Sequence, residues 1–306
     1  MKFLKPNFWN KNSLIVFILL PFTLITRFLI FVKSFKNSYE SNNPTICIGN
    51  IYLGGTGKTQ LVIKINEILV KKYKTFVIKK YYKDQIDEQK LLSDRTNLIL
   101  PNKRLDGLKK IENSKKNIAI FDDGLQDKSI KYSLSIVCFS SISGVGNNKI
   151  LPAGPLREDL SQLKNYNVAF INGKKNSELE KIIKFHNNKI KKFNGKYFLK
   201  NKFEFSLKSK YLAFCGLGTP ENFFELLRKN KIKVTKKMVF PDHFDYKISD
   251  IKEIIEIAKK NGLKIITTEK DYVKIKKFKK FDIKFTEIDL LIDNNLDFKK
   301  YIFKNL

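Results

Sequence analysis

Apolar residues along this chain fall into short unbroken runs and into stretches where they recur every three or four positions. The runs at 46–48, 75–79, 118–123, 134–139 and 168–171 read as buried strands. Between them, Leu61, Val62, Ile65, Ile68 and Leu69 keep helical spacing, and Leu105, Leu108 and Ile111 suggest another helix. Residues 80–90 read as a polar, aromatic loop, and 174–196 is a lysine-rich stretch. A second alternating series follows. Strands are expected at 211–215, 234–240 and 263–268. Helices are expected from Pro220, burying Phe223, Phe224 and Leu227, and over 248–258, burying Ile251, Ile254, Ile255 and Ala258. Alternating strands and helices predict an α/β fold with largely parallel sheets and ligands at the C-terminal strand ends.

Residues 14–32 break this rhythm because they are almost wholly apolar, and residues 1–39 contain no acidic side chain. As one helix the stretch would run roughly 28 Å, about one hydrocarbon core. Lys2, Lys5, Lys11, Lys33 and Lys36 flank it, and Trp9 suits an interface anchor. Pro21, Thr23, Thr26 and Arg27 weaken a full span, so crossing the bilayer and lying in its interface both stay open. A cleaved signal peptide is the rival reading, but no small-residue cleavage site follows. The expected organisation is a membrane-associated helix over 1–38, a main domain over 39–205 and a smaller α/β domain over 206–306.

Composition adds charge to this picture. The 306 residues carry 60 Lys and Arg against 30 Asp and Glu, a net charge of +30. Nucleic acid, an anionic membrane or an anionic substrate would each suit such a surface. No arginine-rich arm or aromatic-basic module points to nucleic acid, and Lys, Asn and Ile are abundant everywhere. Cys47, Cys138 and Cys215 lie far apart in apolar runs, as core residues of a reducing compartment do.

The chemistry concentrates just after the first strand. Gly54, Gly55, Thr56 and Gly57 form a glycine-rich turn, followed by Lys58, Thr59 and the helix. Strand, glycine loop, Lys-Thr and helix make a phosphate-binding P-loop, so the main domain is expected to be P-loop NTPase-like. Backbone N–H groups of Tyr52, Leu53 and the turn would cradle phosphates, with Lys58 on the β/γ-phosphates of ATP and Thr59 on Mg²⁺. The strict motif has a glycine where Tyr52 stands, and a chance glycine turn is the competing reading.

Asp122 and Asp123 end the strand at 118–123, where such folds place a second metal-binding carboxylate; a simple turn before Gly124 is the alternative. The stiff segment Leu151, Pro152, Ala153, Gly154, Pro155, Leu156 leads into Arg157 and Glu158. A guanidinium there suits a phosphate and a carboxylate suits a metal, while a surface ion pair fits equally. His186 lies in the lysine-rich stretch as plain surface. His243 stands at a strand end near Asp242 and Asp245, where either chemistry or structure is served. Three readings follow from these residues: a kinase acting on a lipid, a membrane-attached P-loop ATPase switch acting on a protein partner, and a nucleotide-binding partner without chemistry. Switches of the deviant Walker type carry a lysine just before the double glycine, where this chain has Leu53.

Taken together, these motifs resemble the tetraacyldisaccharide 4′-kinase family, the lipid A 4′-kinases of Gram-negative bacteria. The resemblance rests on Gly49-Asn50 with Gly54 to Thr59, and on Asp122, Asp123, Gly124, Leu125 and Gln126. It extends through Leu151 to Glu158, Asp242-His243, Thr268, Glu269, Lys270 and Asp271 with Val273-Lys274, and Phe8-Trp9. It implies transfer of the ATP γ-phosphate to the 4′-hydroxyl of a tetraacyldisaccharide 1-phosphate, giving lipid IVA. It further implies a membrane-docked N-terminus at the cytoplasmic face of the inner membrane, two α/β lobes closing on the nucleotide, and no obligate protein partner. By position, Thr59, Asp122, Asp123 and Glu158 would surround the metal and Arg157 would meet phosphate. Asp87 falls where the family has an acceptor-side aspartate paired with a histidine, here His243. Lys79, Lys80, Tyr81, Tyr82 and Lys83 replace the family's Ser-Arg-Gly-Tyr-Gly, Ile86 replaces a glycine, and Asp127 replaces a histidine.

Overall fold

The computed structural model describes residues 6–11, 13–35, 37–112, 114, 116–278 and 281–306. Two compact units emerge. Of the described residues, one comprises those within 6–81, 92–196 and 291–306; the other comprises those within 82–91 and 197–290. The partition is therefore interleaved, not the linear split at 205/206 expected above. Residues 82–91 belong with the later half of the chain, and the C-terminal helix Asn295–Lys304 belongs with the earlier half.

The larger unit is built on an eight-stranded sheet. Its order is Leu98–Ile99, Lys74–Lys79, Asn117–Asp122, Thr45–Gly49, Leu134–Ser140, Val168–Asn172, Lys191–Leu199 and Ile288–Ile292. Neighbours from the first of these through Lys191–Leu199 run parallel. Every residue of Thr45–Gly49, Asn117–Asp122, Leu134–Ser140 and Val168–Asn172 is buried. Strands covered on both faces have no solvent side, so their sequences are nearly continuous apolar runs. The helix Lys58–Leu69 follows the central strand and buries Leu61, Val62, Ile65, Ile68 and Leu69, as its spacing predicts. The lysine-rich stretch resolves into the helix Ser177–His186 and the strand Lys191–Leu199.

The smaller unit holds a four-stranded parallel sheet ordered Lys233–Val239, Lys210–Cys215, Lys264–Thr268, Ile283–Thr286. Alternate residues of Lys210–Cys215 point to opposite faces. Tyr211, Ala213 and Cys215 pack with Phe223 and Leu227, whereas Leu212 and Phe214 pack with Tyr246, Ile251, Ile254 and Ala258. The helices Pro220–Lys229 and Ile248–Lys260 supply those partners. The segment expected as a loop over 80–90 instead contains the helix Ile86–Ser93.

The N-terminal apolar stretch is not one helix. It forms Leu14–Leu19 and Thr23–Ser34, separated by a turn around Pro21. Proline has no N–H to continue the ladder and its ring crowds the preceding turn. The break is spanned by short bonds from Phe22 N to Leu19 O and Thr23 N to Leu20 O. Among the described residues, no helix is long and apolar enough to cross a membrane. The expected single membrane helix over 1–38 is thereby corrected. Lys2, Lys5 and Lys36 lie outside the described residues. Trp9, expected as an interface anchor, donates its indole N–H to Pro152 O at 3.4 Å, and Asn147 N donates to Trp9 O at 2.7 Å.

Candidate functional site

The P-loop follows the central strand of the larger unit. Gly54 has φ 136° and Gly57 has φ 90°, values that strain any side chain with a Cβ. Gly57 caps the helix that begins at Lys58, so Lys58 and Thr59 occupy its first turn. Tyr52, where the strict motif has glycine, is buried in the core and bridges to Leu156, so its side chain packs. Leu53 donates its N–H, expected to meet phosphate, to Pro155 O at 2.8 Å. The same zipper continues with Arg157 N donating to Ile51 O at 2.7 Å. The stiff Leu151 to Glu158 segment is therefore tied to the P-loop by its backbone, and this fixes where Arg157 and Glu158 stand.

Asp123 is the meeting point of the charges. Its φ of 58° lies in the left-handed region, which Asp tolerates better than most residues. Its N–H donates to Ile48 O at 2.8 Å and its carbonyl accepts from Arg104 Nη2 at 2.6 Å. The carboxylate takes Arg157 Nη1 at 2.8 Å and lies 3.7 Å from Lys58 Nζ. Burial alone would raise its pKa, but Lys58 and Arg157 outweigh burial and hold it down at about 2. Lys58, Asp123 and Arg157, predicted from separate motifs, are thus brought together. Asn50 supports the loop from within, donating to Tyr52 O at 2.6 Å and Gly54 O at 3.1 Å.

Asp122 has a different environment, which its sequence context did not reveal. Strand register sets Lys79 opposite it, and Lys79 Nζ lies 2.8 Å from Asp122 Oδ2. Both side chains are buried, at 2% and 0% exposure. Removing one partner of such a pair leaves an uncompensated charge in the core. Lys79→Met is expected to cost about 3–5 kcal/mol of stability, read by urea or thermal unfolding. A loss below about 1 kcal/mol would show that this pair does not hold the strands together.

Thr59, Asp122, Asp123 and Glu158 do not form a preformed metal cage. Among the described residues, no group of three or more His, Cys, Asp or Glu is gathered for a metal. Glu158 is buried, and its Oε1 accepts from the Tyr166 hydroxyl and from Gln126 Nε2 at 3.1 Å. Burial raises its pKa despite those bonds. The same Gln126 Nε2 also donates to Asn50 O at 3.0 Å. Mg²⁺ does not need a cage, because it keeps waters and binds through one or two carboxylates plus phosphate oxygens. The residues fit that mode: Asp122 Oδ1, Asn50 Oδ1 and Thr56 Oγ1 are buried without hydrogen-bond partners around the loop. Asp127, where the family has histidine, caps its own turn through Ser129 and pairs with Arg104 at 3.4 Å.

The second cluster lies wholly in the smaller unit. Asp87 sits in the first turn of Ile86–Ser93 and is 2% exposed. His243 Nδ1 lies 2.9 Å from its Oδ1 and 3.1 Å from its Oδ2. Lys274 Nζ lies 3.2 Å from Oδ2. His243 holds a φ of 56°, and its N–H donates to Asp242 Oδ1 at 3.1 Å. Burial would raise the Asp87 pKa, yet the His243 hydrogen bond and the charges of Lys270, His243 and Lys274 bring it to about 2. For His243 burial acts downward, but the bond to Asp87 and the charge of Asp242 raise its pKa overall. An ionised carboxylate only accepts, so His243 Nδ1 carries the proton between them. The Asp87–His243 pairing expected from resemblance is present. Asn50, Lys79, Gln126 and Lys274 had no role assigned from sequence, although three of them lie inside the motifs quoted above.

Comparison with known proteins follows this geometry. The family model for tetraacyldisaccharide-1-P 4′-kinase matches residues 15–306. The tetraacyldisaccharide 4′-kinase of Pelagibacter ubique is 43% identical over 303 residues, spanning 97% of this chain and 96% of the relative. That of Rickettsia akari is 31% identical over 324 residues, spanning 99% and 98%. The "apo" form of LpxK from Aquifex aeolicus in complex with ATP shares the fold, with a TM-score of 0.72 at 22% identity over 95% of this chain and 99% of that one. On the family model and the two relatives, this chain belongs to the tetraacyldisaccharide 4′-kinase family.

Proposed function

We propose that this chain transfers the γ-phosphoryl group of ATP to the 4′-hydroxyl of a tetraacyldisaccharide 1-phosphate, forming lipid IVA. The observation that carries this reading is the convergence of Lys58, Arg157 and Asp123 beside a P-loop, in a member of this family. The glycine turn and helix N-terminus bind the phosphate chain. Lys58 and Arg157 offset charge on the transferring group, for which the Asp123 carboxylate stands in between them. When bound with ATP, Mg²⁺ would be held by the Thr59 hydroxyl and by carboxylate of Asp122 or Asp123, and would neutralise charge between β- and γ-oxygens. Asp87 accepts the proton of the acceptor hydroxyl, and His243 orients it. A base of such low pKa suffices, because a loose phosphoryl-transfer transition state asks for proton removal only as the new P–O bond forms.

In this reading the protein works at the cytoplasmic face of the inner membrane, and the exposed apolar side chains of the N-terminal helices support it. Leu14, Phe17, Ile18, Leu24, Ile25, Phe28, Leu29 and Phe31 are all more than half exposed, a contiguous stretch of apolar side chains on two short helices. Helices of 6 and 12 residues are too short to span a hydrocarbon core, which leaves the interface for their apolar faces, and the positive chain favours an anionic leaflet. Phe17→Asp with Phe28→Asp is expected to weaken co-sedimentation with phosphatidylglycerol-containing vesicles by a factor on the order of 100 or more, at roughly 1.5–3 kcal/mol per buried Phe. ATP binding should persist. Undiminished vesicle binding would remove these helices from the membrane role.

The test of function is acceptor-dependent ATP consumption in detergent micelles. The lipid reading expects ADP release only when tetraacyldisaccharide 1-phosphate is present. ATP hydrolysis that responds to a protein partner and ignores the lipid would favour the switch reading.

A further inference from the structure

The motif Thr268, Glu269, Lys270, Asp271 with Lys274 supplies two of the cations around Asp87, and it also builds the seat on which Asp87 rests. The helix Glu269–Ile275 begins with Thr268 as N-cap, its side chain accepting from Asp271 N. Lys270 and Lys274 are four residues apart and share one face of that helix. Lys270 pairs with Glu88 and Lys274 pairs with Asp87, so two adjacent acids are gripped by two lysines one turn apart. Lys274 Nζ also lies 3.5 Å from Asp271 Oδ1.

Asp271 is fully buried and anchors this arrangement to the sheet. It accepts from Gly216 N at 3.0 Å, Thr268 Oγ1 at 2.7 Å and the Tyr246 hydroxyl at 3.2 Å. A Cβ at Gly216 would lie 2.9 Å from Pro241 O and 3.2 Å from Asp271 Oδ1, so glycine is needed for that approach. The chain of contacts runs Gly216 and Tyr246 to Asp271, to Lys274, to Asp87. Lys274 therefore has a fixed origin, and it meets Asp87 at Oδ2, while His243 Nδ1 sits across both oxygens, nearer Oδ1.

We propose that Lys274 is a positioning residue for the acceptor base: anchored by Asp271, it holds the Asp87 carboxylate in one orientation together with His243. This inference rests on the assignment of Asp87 as the base. A carboxylate held by a single partner can rotate about its side-chain torsions, and misplacement by about 1 Å costs on the order of 100-fold in rate. The two cations also share the Asp87 charge, which gives the proposal a signature separate from turnover. The groups facing His243 are Asp87, Asp242 and Glu88, with Lys270 and Lys274 across the acids. Removing the Lys274 charge leaves more negative potential at the imidazole, so its pKa must rise further.

The chain has two histidines, His186 and His243, which makes the imidazole titration readable by NMR. Lys274→Gln keeps a donor and removes the charge; Lys274→Arg keeps both. For Lys274→Gln the expected result is a kcat fall of about 10- to 100-fold with KM for ATP unchanged, and an upward shift of the His243 pKa with His186 unmoved. Lys274→Arg should recover most of the rate and the wild-type titration. Wild-type kcat in Lys274→Gln, or a His243 titration that does not move, overturns the proposal. If Asp87→Asn itself kept full activity, the base assignment would fail, whereas the titration arm would still report the Lys274 contact.

Discussion

Asp87→Asn is expected to abolish phosphoryl transfer while ATP still binds. Asparagine keeps the shape of the side chain and can still meet His243 and Lys274, but it cannot take a proton. The loss is expected on the order of 10²–10⁴-fold in kcat, the range for removing a positioned general base. KM for ATP should hold, because the proposed role of Asp87 is toward the acceptor hydroxyl and not toward the phosphate chain. The substitution also removes the negative charge between two cations, so the His243 pKa should fall. Steady-state kinetics with the lipid acceptor, alongside calorimetric ATP binding, separates the effects. Full turnover by Asp87→Asn would mean that the acceptor proton leaves by another route.

Lys58→Met is expected to fail at the other end of the reaction. Methionine preserves the apolar stem and deletes the ammonium proposed to meet the β/γ-phosphates. Asp123 then keeps Arg157 as its near cation, so the site becomes more negative where a polyanion must enter. Losing one preorganised charge at a phosphoryl site costs on the order of 10²–10³-fold. Here ATP affinity and kcat should fall together, in contrast to Asp87→Asn, because the contact proposed for Lys58 is made both before and during transfer. Isothermal titration with ATP and the same kinetic assay check this. Unchanged ATP affinity would show that the loop backbone alone binds the phosphates.

The contrast between these two substitutions mirrors what was legible in the sequence. The phosphate end is local: strand, glycine turn, Lys58, Thr59 and helix occupy consecutive residues, and each follows from backbone geometry. Asp123 stands out in the sequence because it follows an unbroken apolar strand. The pairing of Lys79 with Asp122 was not found, because strand register joins positions far apart in sequence and neither residue signals the other. A lysine at the end of an apolar run reads as a strand leaving the core, yet Lys79 stays inside because Asp122 neutralises it. Glu158 was expected at the metal, but Tyr166 and Gln126, which no local pattern connects to it, occupy one of its oxygens.

The acceptor end was legible only through resemblance. Residues 80–90 are polar and aromatic, and they lack the apolar spacing of a helix. The helix Ile86–Ser93 forms there because Asp87 and Glu88 stand at its N-terminus, where acids are favoured, and because Lys270 and Lys274 hold them. The interleaved units escaped notice for a related reason. Hydrophobic periodicity marks elements but not which sheet they join, so residues 82–91 and the helix Asn295–Lys304 gave no sign of belonging with distant parts of the chain. At the N-terminus the apolar run was clear, and Pro21 already marked where it would break.

The most direct test of the central claim is ³¹P NMR and mass spectrometry of the lipid product. Purified protein is incubated with ATP, Mg²⁺ and tetraacyldisaccharide 1-phosphate in detergent micelles. The account predicts one added phosphate, on the 4′-oxygen, in stoichiometric balance with ADP, and none with Asp87→Asn. ADP formed without a second phosphate on the disaccharide, or a phosphate added elsewhere on it, would contradict the account.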